Sequence, residues 1–251
     1  MENQPSRRQQ RWAEQFWTFE AETSGEATIL PDARSDLILR FQQNGERITN
    51  VRPIVSLPMI SPYHIEYKAD DCWIGVRLKP EQTSAIKQLV SPLGKSATLS
   101  QADADRIFAP VIALAKPIQT CAHLRKVLDM ALETLSVTTF PNWVRSTIDR
   151  FHLSGGRVRI SDRAGILNIS ERHFRREFMR AVHVSPKAYC SIIRFHRALR
   201  LIVEGGLSIS DAAFETGYAD HSHLTRAFSK MGGFSPSNIP PHLSLPGLPI
   251  N

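Results

Sequence analysis

At 251 residues, with 42% hydrophobic and 22% charged side chains, the chain has the composition of a soluble globular protein of one large or two ordinary domains. No run approaches the ~18 apolar residues of a membrane span. The basic N-terminus leads into Gln9-Gln10-Arg11-Trp12 rather than an apolar core, so neither membrane insertion nor secretion is expected. The net charge of +7 is unevenly placed: residues 1–140 hold 16 Lys+Arg against 16 Asp+Glu, whereas residues 141–251 hold 15 against 8. A basic half joined to a neutral half points to a polyanion-binding module attached to something else. Three widely spaced cysteines, Cys72, Cys121 and Cys190, disfavour a disulfide framework or a four-thiolate zinc site and fit a reducing cytoplasm.

In chain order, residues 1–11 are expected to be disordered and 12–135 to form an α+β N-terminal domain with a sensing or dimerising role. Asp36-Leu37-Ile38-Leu39-Arg40-Phe41 and Cys72-Trp73-Ile74-Gly75-Val76-Arg77-Leu78 read as strands. Pro31-Asp32, Asn44-Gly45, Pro53, Pro58 and Pro62 read as punctuation, with Asn44-Gly45 a hairpin turn. Residues 81–91, 103–116 and 121–135 read as helices. In the last, the stripe Leu124, Leu128, Ala131, Leu132, Leu135 is assigned to the domain core in preference to a dimer helix. His64 and His123 have no second histidine at metal-ligand spacing, and Cys72 and Cys121 have no activating neighbour in sequence. Asp70-Asp71 are adjacent residues whose side chains point apart. With no phosphate-binding glycine loop, serine elbow or HExxH motif, no enzyme, cofactor or metal is expected. Residues 136–141, of β-branched and breaker types, form the expected linker.

Residues 142–240 contain an internal repeat. Phe174, Arg176 and Phe178 match Leu224, Arg226 and Phe228 at an offset of 50, as Val184-Ser185-Pro186 matches Phe234-Ser235-Pro236. Ile160-Ser161-Asp162-Arg163-Ala164 matches Ile209-Ser210-Asp211-Ala212-Ala213 at 49, so the one-residue insertion at 217–220 marks a turn between two helices. Each copy reads as a short helix (160–167, 209–216), a tight turn and a longer helix (170–180, 220–230). Asn168 and Gly217 are turn residues that tolerate positive φ, and Ser170, Asp220 and Ser208 are N-caps. Ala164, Phe174 and Phe178, with Ala213, Leu224 and Phe228, are the expected core of the two hairpins. The outward faces carry Arg172, Arg175, Arg176 and Arg180 in the first copy, and His221, Ser222, Thr225, Arg226 and Lys230 in the second. Guanidiniums near helix N-termini suit major-groove reading, because the fork of arginine matches the two acceptors of guanine.

These residues resemble the AraC/XylS family of bacterial transcription regulators. The resemblance spans about 141–240 and is densest from Ala213 to Pro236, where Gly217-Tyr218, Asp220, Ser222-His223, Arg226, Phe228 and Gly233-Phe234-Ser235-Pro236 stand in the family's order and spacing. It implies an all-α domain of seven helices in two helix-turn-helix subdomains, joined by a long helix at about 186–204. It further implies that the third and sixth helices enter successive major grooves of double-stranded DNA, about one helical turn apart. Arg172, Arg175 and Arg176 would then read one segment, and His221, Ser222 and Arg226 the other. Ser170, Arg180, Ser185, Asp220, Thr225 and Lys230 would face phosphates. The spacing of Pro31-Asp32, Asp36 to Leu39 and Gly75 to Pro80 is similar to an N-terminal domain found on some of these regulators, with Ala33 at the third place of its proline-aspartate-glycine.

Three positions depart from the family pattern: Arg163 stands in place of a buried leucine, Arg159 in place of a cap, and His183 in place of a glycine. Arg163 is expected to reach a phosphate or to lie along the lobe surface. The expected protein is a DNA-bound, nucleoid-associated regulator; an unidentified small-molecule effector, a homodimer and RNA polymerase remain open as partners. A non-specific architectural DNA binder, and a ligand-binding or enzymatic N-terminal half with an inert C-terminal half, stay open beside it. The proline-rich residues 241–251 are expected to be a disordered tail.

Overall fold

The computed structural model of the chain describes residues 11–45, 47–87, 100–114, 120–135 and 140–240. The expectations for residues 1–10, most of the linker at 136–141 and the tail at 241–251 therefore lie outside the described residues. The chain divides into two compact units that are not contiguous in sequence: residues 1–26, 34–58 and 66–139 form one, and residues 27–33, 59–65 and 140–251 the other.

The first unit is α+β. Strands β1 (Ala13–Glu20), β3 (Asp36–Asn44), β4 (Arg47–Ser56) and β6 (Asp71–Leu78) make an antiparallel sheet in the order β1-β6-β3-β4. Strands β2 (Gly25–Ile29) and β5 (Tyr63–Tyr67) pair separately as a two-stranded ribbon, most of which, residues 27–29 and 63–65, belongs to the second unit. Asn44 faces Arg47 across the turn containing Gly45, whose φ of +60° makes the glycine necessary there. Pro53 corrects one expectation: it lies inside β4 opposite Leu39 rather than between elements. β4 is the edge of its sheet, the place where a strand tolerates a residue without N–H. After a 3-10 turn at Pro80–Gln82, α1 (Thr83–Lys87) begins within the helix expected at 81–91, whose remainder lies outside the described residues. α2 (Gln101–Leu114) and α3 (Cys121–Thr134) pack on β4, and on β3 and β6, respectively. Leu124, Leu128, Ala131, Leu132 and Leu135 are buried with Leu37, Leu39, Ile74 and Val76, so the α3 stripe is intradomain core.

β6 is buried along nearly its whole length, and Gly75 shows why a glycine sits at its centre. Gly75 faces Trp17 across the β1–β6 pair, and a Cβ there would stand 2.4 Å from the indole ring. Asp71 is buried against Arg40 and accepts from Lys68 N at 2.8 Å. Burial alone would raise its carboxyl, but the Arg40 hydrogen bond, the Lys68 backbone bond and the charges of Arg40 and Lys68 hold it below the ordinary value. Asp70 is exposed at φ +66°, so the two neighbouring carboxylates do not share a site.

In the second unit, residues 140–240 are all-α, with α4 (Trp143–Leu153), α5 (Ile160–Ile166), α6 (Glu171–Val182), α7 (Pro186–Val203), α8 (Ile209–Thr216) and α9 (His221–Gly232). Six of the seven helices implied by the resemblance are thus present among the described residues; Ser235-Pro236 opens a turn closed by Asn238 N to Ser235 O at 3.0 Å. One continuous core runs through both hairpins and α7. Phe174 stacks on Trp143 at 5.0 Å and Phe178 meets Phe151 at 5.6 Å, while Phe228 sits edge-on to Phe195 at 5.1 Å. Ala164, Phe174, Phe178, Ala213, Leu224 and Phe228 are all at most 3% exposed, as a hairpin core requires.

Candidate nucleic-acid interface

The two hairpins are built by the same local chemistry. In the first, α5 ends at Ile166, Asn168 turns at φ +52°, and the Ser170 hydroxyl accepts from His173 N at 3.2 Å to open α6. In the second, α8 ends on Gly217 at φ +75°, and Asp220 Oδ1 accepts from His223 N at 2.6 Å to open α9. Each cap satisfies an N–H that the first helical turn would leave without a partner. Both long helices then end on a left-handed residue, His183 at φ +61° and Gly233 at φ +78°. Ser185 and Ser208 cap α7 and α8 in the same manner, accepting from Ala188 N at 3.2 Å and Asp211 N at 3.1 Å. Arg159 caps nothing with its side chain, so α5 alone lacks this anchor among α5 to α9.

Burial of Phe174, Phe178, Ala181 and Val182 turns Arg172, Arg175, Arg176 and Arg180 outward from α6. Likewise, burial of Leu224, Phe228 and Met231 turns His221, Ser222, Arg226 and Lys230 outward from α9. The sequence-predicted residues therefore gather on two helix faces of equivalent construction. Their chemical states differ. Arg175 Nε donates to Glu171 Oε1 at 2.8 Å, one turn back. Arg176 donates to Glu177 Oε1 at 3.1 Å and lies 2.9 Å from His173 Nδ1, and Arg180 donates to Glu177 Oε2 at 3.0 Å. Burial would raise the Glu177 carboxyl, yet the Arg176 and Arg180 hydrogen bonds and charges hold it below its usual value. Arg172, Arg226 and Lys230 have no carboxylate partner among the described residues. The Thr225 hydroxyl donates to His221 O at 2.9 Å, and the Ser170 and Asp220 side-chain oxygens are committed to their caps.

Arg163 is half-buried and lies along α4. Its Nε donates to Thr147 Oγ1 and its Nη2 to Ser146 Oγ, both at 3.1 Å, tying α5 to α4.

Sequence reasoning passed over Glu171 and Glu177, although their i,i+4 and i,i+3 spacing to Arg175 and Arg180 was a visible signal. It also passed over Gly155-Gly156. These residues, at φ +61° and +75°, carry the turn after α4 so close to α7 that a Cβ on Gly156 would stand 2.3 Å from Cys190 O. Next to them, Arg157 runs beside Gly217, whose neighbour Tyr218 lies under the Arg194 guanidinium at 5.4 Å. Burial pushes the Tyr218 hydroxyl up to about 12, with the Arg194 charge opposing it. Exposed Met179 is the apolar member of the outward α6 face.

Two capped helix-turn-helix hairpins on one shared core, joined by a long helix, define the class: a double helix-turn-helix domain. Comparison with known families agrees: residues 163–239 match the family described as Helix-turn-helix domain, and residues 1–92 match Domain of unknown function (DUF6597). The uncharacterized HTH-type transcriptional regulator YbfI of Bacillus subtilis is 34% identical over 67 residues, 27% of this chain and 24% of YbfI. The lactose operon transcription activator of Staphylococcus xylosus is 30% identical over 88 residues, 35% of this chain and 32% of the activator. The chain thus matches about a quarter to a third of the length of these curated relatives. Among solved structures, ToxT from Vibrio cholerae O395 aligns at a TM-score of 0.43 and 15% identity, over 88% of this chain and 95% of ToxT. Among the described residues, no helix is long and apolar enough to cross a membrane, and no group of three or more His, Cys, Asp or Glu side chains is placed to hold a metal.

Proposed function

We propose that the chain is a sequence-specific double-stranded DNA-binding regulator of transcription, with α6 and α9 each reading one major-groove segment. One observation carries this reading. Two hairpins whose long helices are each opened by a side-chain N-cap present an arginine without a carboxylate partner among the described residues, Arg172 and Arg226, within the first two turns of the long helix. In this reading Arg172 and Arg226 are the leading base readers, with His221 and Ser222 beside Arg226. Arg175 and Arg176 read or bind phosphate only after leaving Glu171 and Glu177, an exchange costing about 0.2–1 kcal/mol for the exposed Arg175–Glu171 pair. Arg180 and Lys230 neutralise phosphates from the far ends of the helices. Asp220, whose carboxylate cannot donate to a phosphate, acts through the backbone N–H groups of the helix start it caps, and Ser170 and Ser185 act through such N–H groups together with their own hydroxyl protons.

The test is titration of the purified chain with a duplex it has selected from a random-sequence pool, alongside unselected DNA. Arg226→Ala should weaken selected binding by about 1–3 kcal/mol while leaving unselected binding nearly intact. Equal losses on both would make Arg226 a phosphate contact and remove it from the readers. Modulation of DNA binding through the first unit completes the proposal; its support is that one chain joins the DNA-binding unit to a second unit with its own core. A small-molecule effector that raises the melting temperature of the chain and shifts its DNA affinity would establish it.

A further inference from the structure

The DNA-binding unit is not made of the C-terminal helices alone. Residues 27–33 and 59–65, including most of the β2–β5 ribbon, belong to it. Thr28 Oγ1 and His64 Nδ1 lie 3.1 Å apart across the ribbon. Beyond β2 the chain runs Leu30-Pro31-Asp32-Ala33, and Leu30 and Ala33, at 1% and 0% exposure, join the same hydrophobic core as Phe195, Leu199 and Phe228. Between them, Pro31 O accepts a 2.7 Å hydrogen bond from Nε2 of His196, a buried side chain on α7 that is 165 residues away in sequence. Pro62, on the other arm, lies 3.8 Å from where a Cβ on Gly233, the C-cap of α9, would stand.

Ala33 supplies an independent sign that this segment is held rather than merely lying there. Its φ of +57° is a left-handed conformation that costs an alanine roughly 1–2 kcal/mol. A residue keeps such a conformation only where its surroundings determine it. Here a fully buried methyl does so. α7, to which Pro31 is tied, packs against α4 and α6 and also against α8 and α9. Whatever fixes α7 therefore acts on both hairpins.

We propose that the Leu30–Ala33 segment is a positioning element of the DNA-binding unit: bonded to His196, it fixes α7 and thereby the phasing of α6 against α9. This rests on reading α6 and α9 as DNA readers. It makes His196 a positioning residue that touches no DNA, and it assigns a role in DNA binding to a piece of chain more than 100 residues before the helices.

The experiment uses the full chain and a duplex selected by the wild type from a random pool, plus copies with one or two base pairs added between the recognised segments. His196→Ala should lose about tenfold in affinity at the selected spacing, the effect of a buried carbonyl left without its donor. Its discrimination against altered spacings should also shrink. His196→Gln, whose amide can still donate to Pro31 O, should restore both. An unchanged affinity and spacing preference in His196→Ala, or an equal loss at every spacing, would overturn the proposal. Leu30→Val, at about threefold, carries the same test if His196→Ala does not fold. If the wild type selects no DNA, the reading of α6 and α9 has failed, and hydrogen exchange along α7 then decides the docking. Faster exchange in His196→Ala would support it, and unchanged rates would overturn it.

Discussion

Arg163 occupies a helix position that the family resemblance gives to a buried leucine, and its two bonds to Ser146 and Thr147 turn that departure into a link between α5 and α4. Arg163→Ala should therefore lower stability by about 0.5–1.5 kcal/mol in urea unfolding, with the salt dependence of DNA binding unchanged. A reduced salt slope would instead place Arg163 on a phosphate. His183 differs in kind, because it holds a left-handed C-cap that Gly233 fills in the second hairpin. His183→Gly should relax the backbone and raise stability by about 0.5–1 kcal/mol, seen as a higher urea midpoint. In the first unit, Asp71 has a folded carboxyl pKa below its unfolded one. Its stabilisation is therefore present above the ordinary carboxylate pKa of about 4 and is lost as pH falls through the folded value. Asp71→Asn should be less stable than wild type at pH 7 by about 1.5–3 kcal/mol, and the gap should close as pH falls through the lowered pKa of the folded carboxyl. A gap that persists at low pH would mean that packing, not charge, sets the role of Asp71.

Among the elements, the hairpins were the most legible, because their determinants are local. Asn168, Gly217, Ser170 and Asp220 each specify a turn or cap within four residues of sequence, and the apolar spacing of Phe174 and Phe178 fixes which face is outward. The charge state of that face was less legible, because it depends on side-chain pairing: Glu171 and Glu177 turn three of the four α6 guanidiniums into ion pairs. β3 and β6 were legible as apolar runs at the centre of the sheet. β1 and β4 were not, since each is an edge with one partner, and β4 carries Arg47, Arg52 and Pro53 where a buried strand would carry aliphatics. The ribbon was out of reach altogether. The pairing of Gly25–Ile29 with Tyr63–Tyr67, and of Pro31 with His196, is a long-range choice that no local pattern announces. Only Ala33 hinted at it, as the alanine at a place where the similar N-terminal domains carry a glycine. Because the α6 arginines must leave their carboxylates, Arg175→Ala is expected to cost less in DNA affinity than Arg172→Ala, with the difference measured on a single selected duplex. The reverse order would mean that the Glu171 pair orients Arg175 for reading.

Across the whole molecule, all of the +7 charge resides in residues 141–251, the part that supplies the helices of the second unit. Neutralising several phosphates with these cations should make log K fall linearly with log salt, by roughly 0.9 per phosphate contacted. That composition-level property was plain from the sequence, whereas the discontinuous make-up of the unit, with residues 27–33 and 59–65 built into it, was visible only in three dimensions. Whether α6 and α9 read two separate stretches of base sequence is decided by selection from a random duplex pool. The wild type should enrich two defined segments with centres about one helical turn, ~10 base pairs, apart. Arg172→Ala should lose definition in one of them and Arg226→Ala in the other. Enrichment of no sequence over the starting pool, or of a single segment untouched by either substitution, would contradict the account.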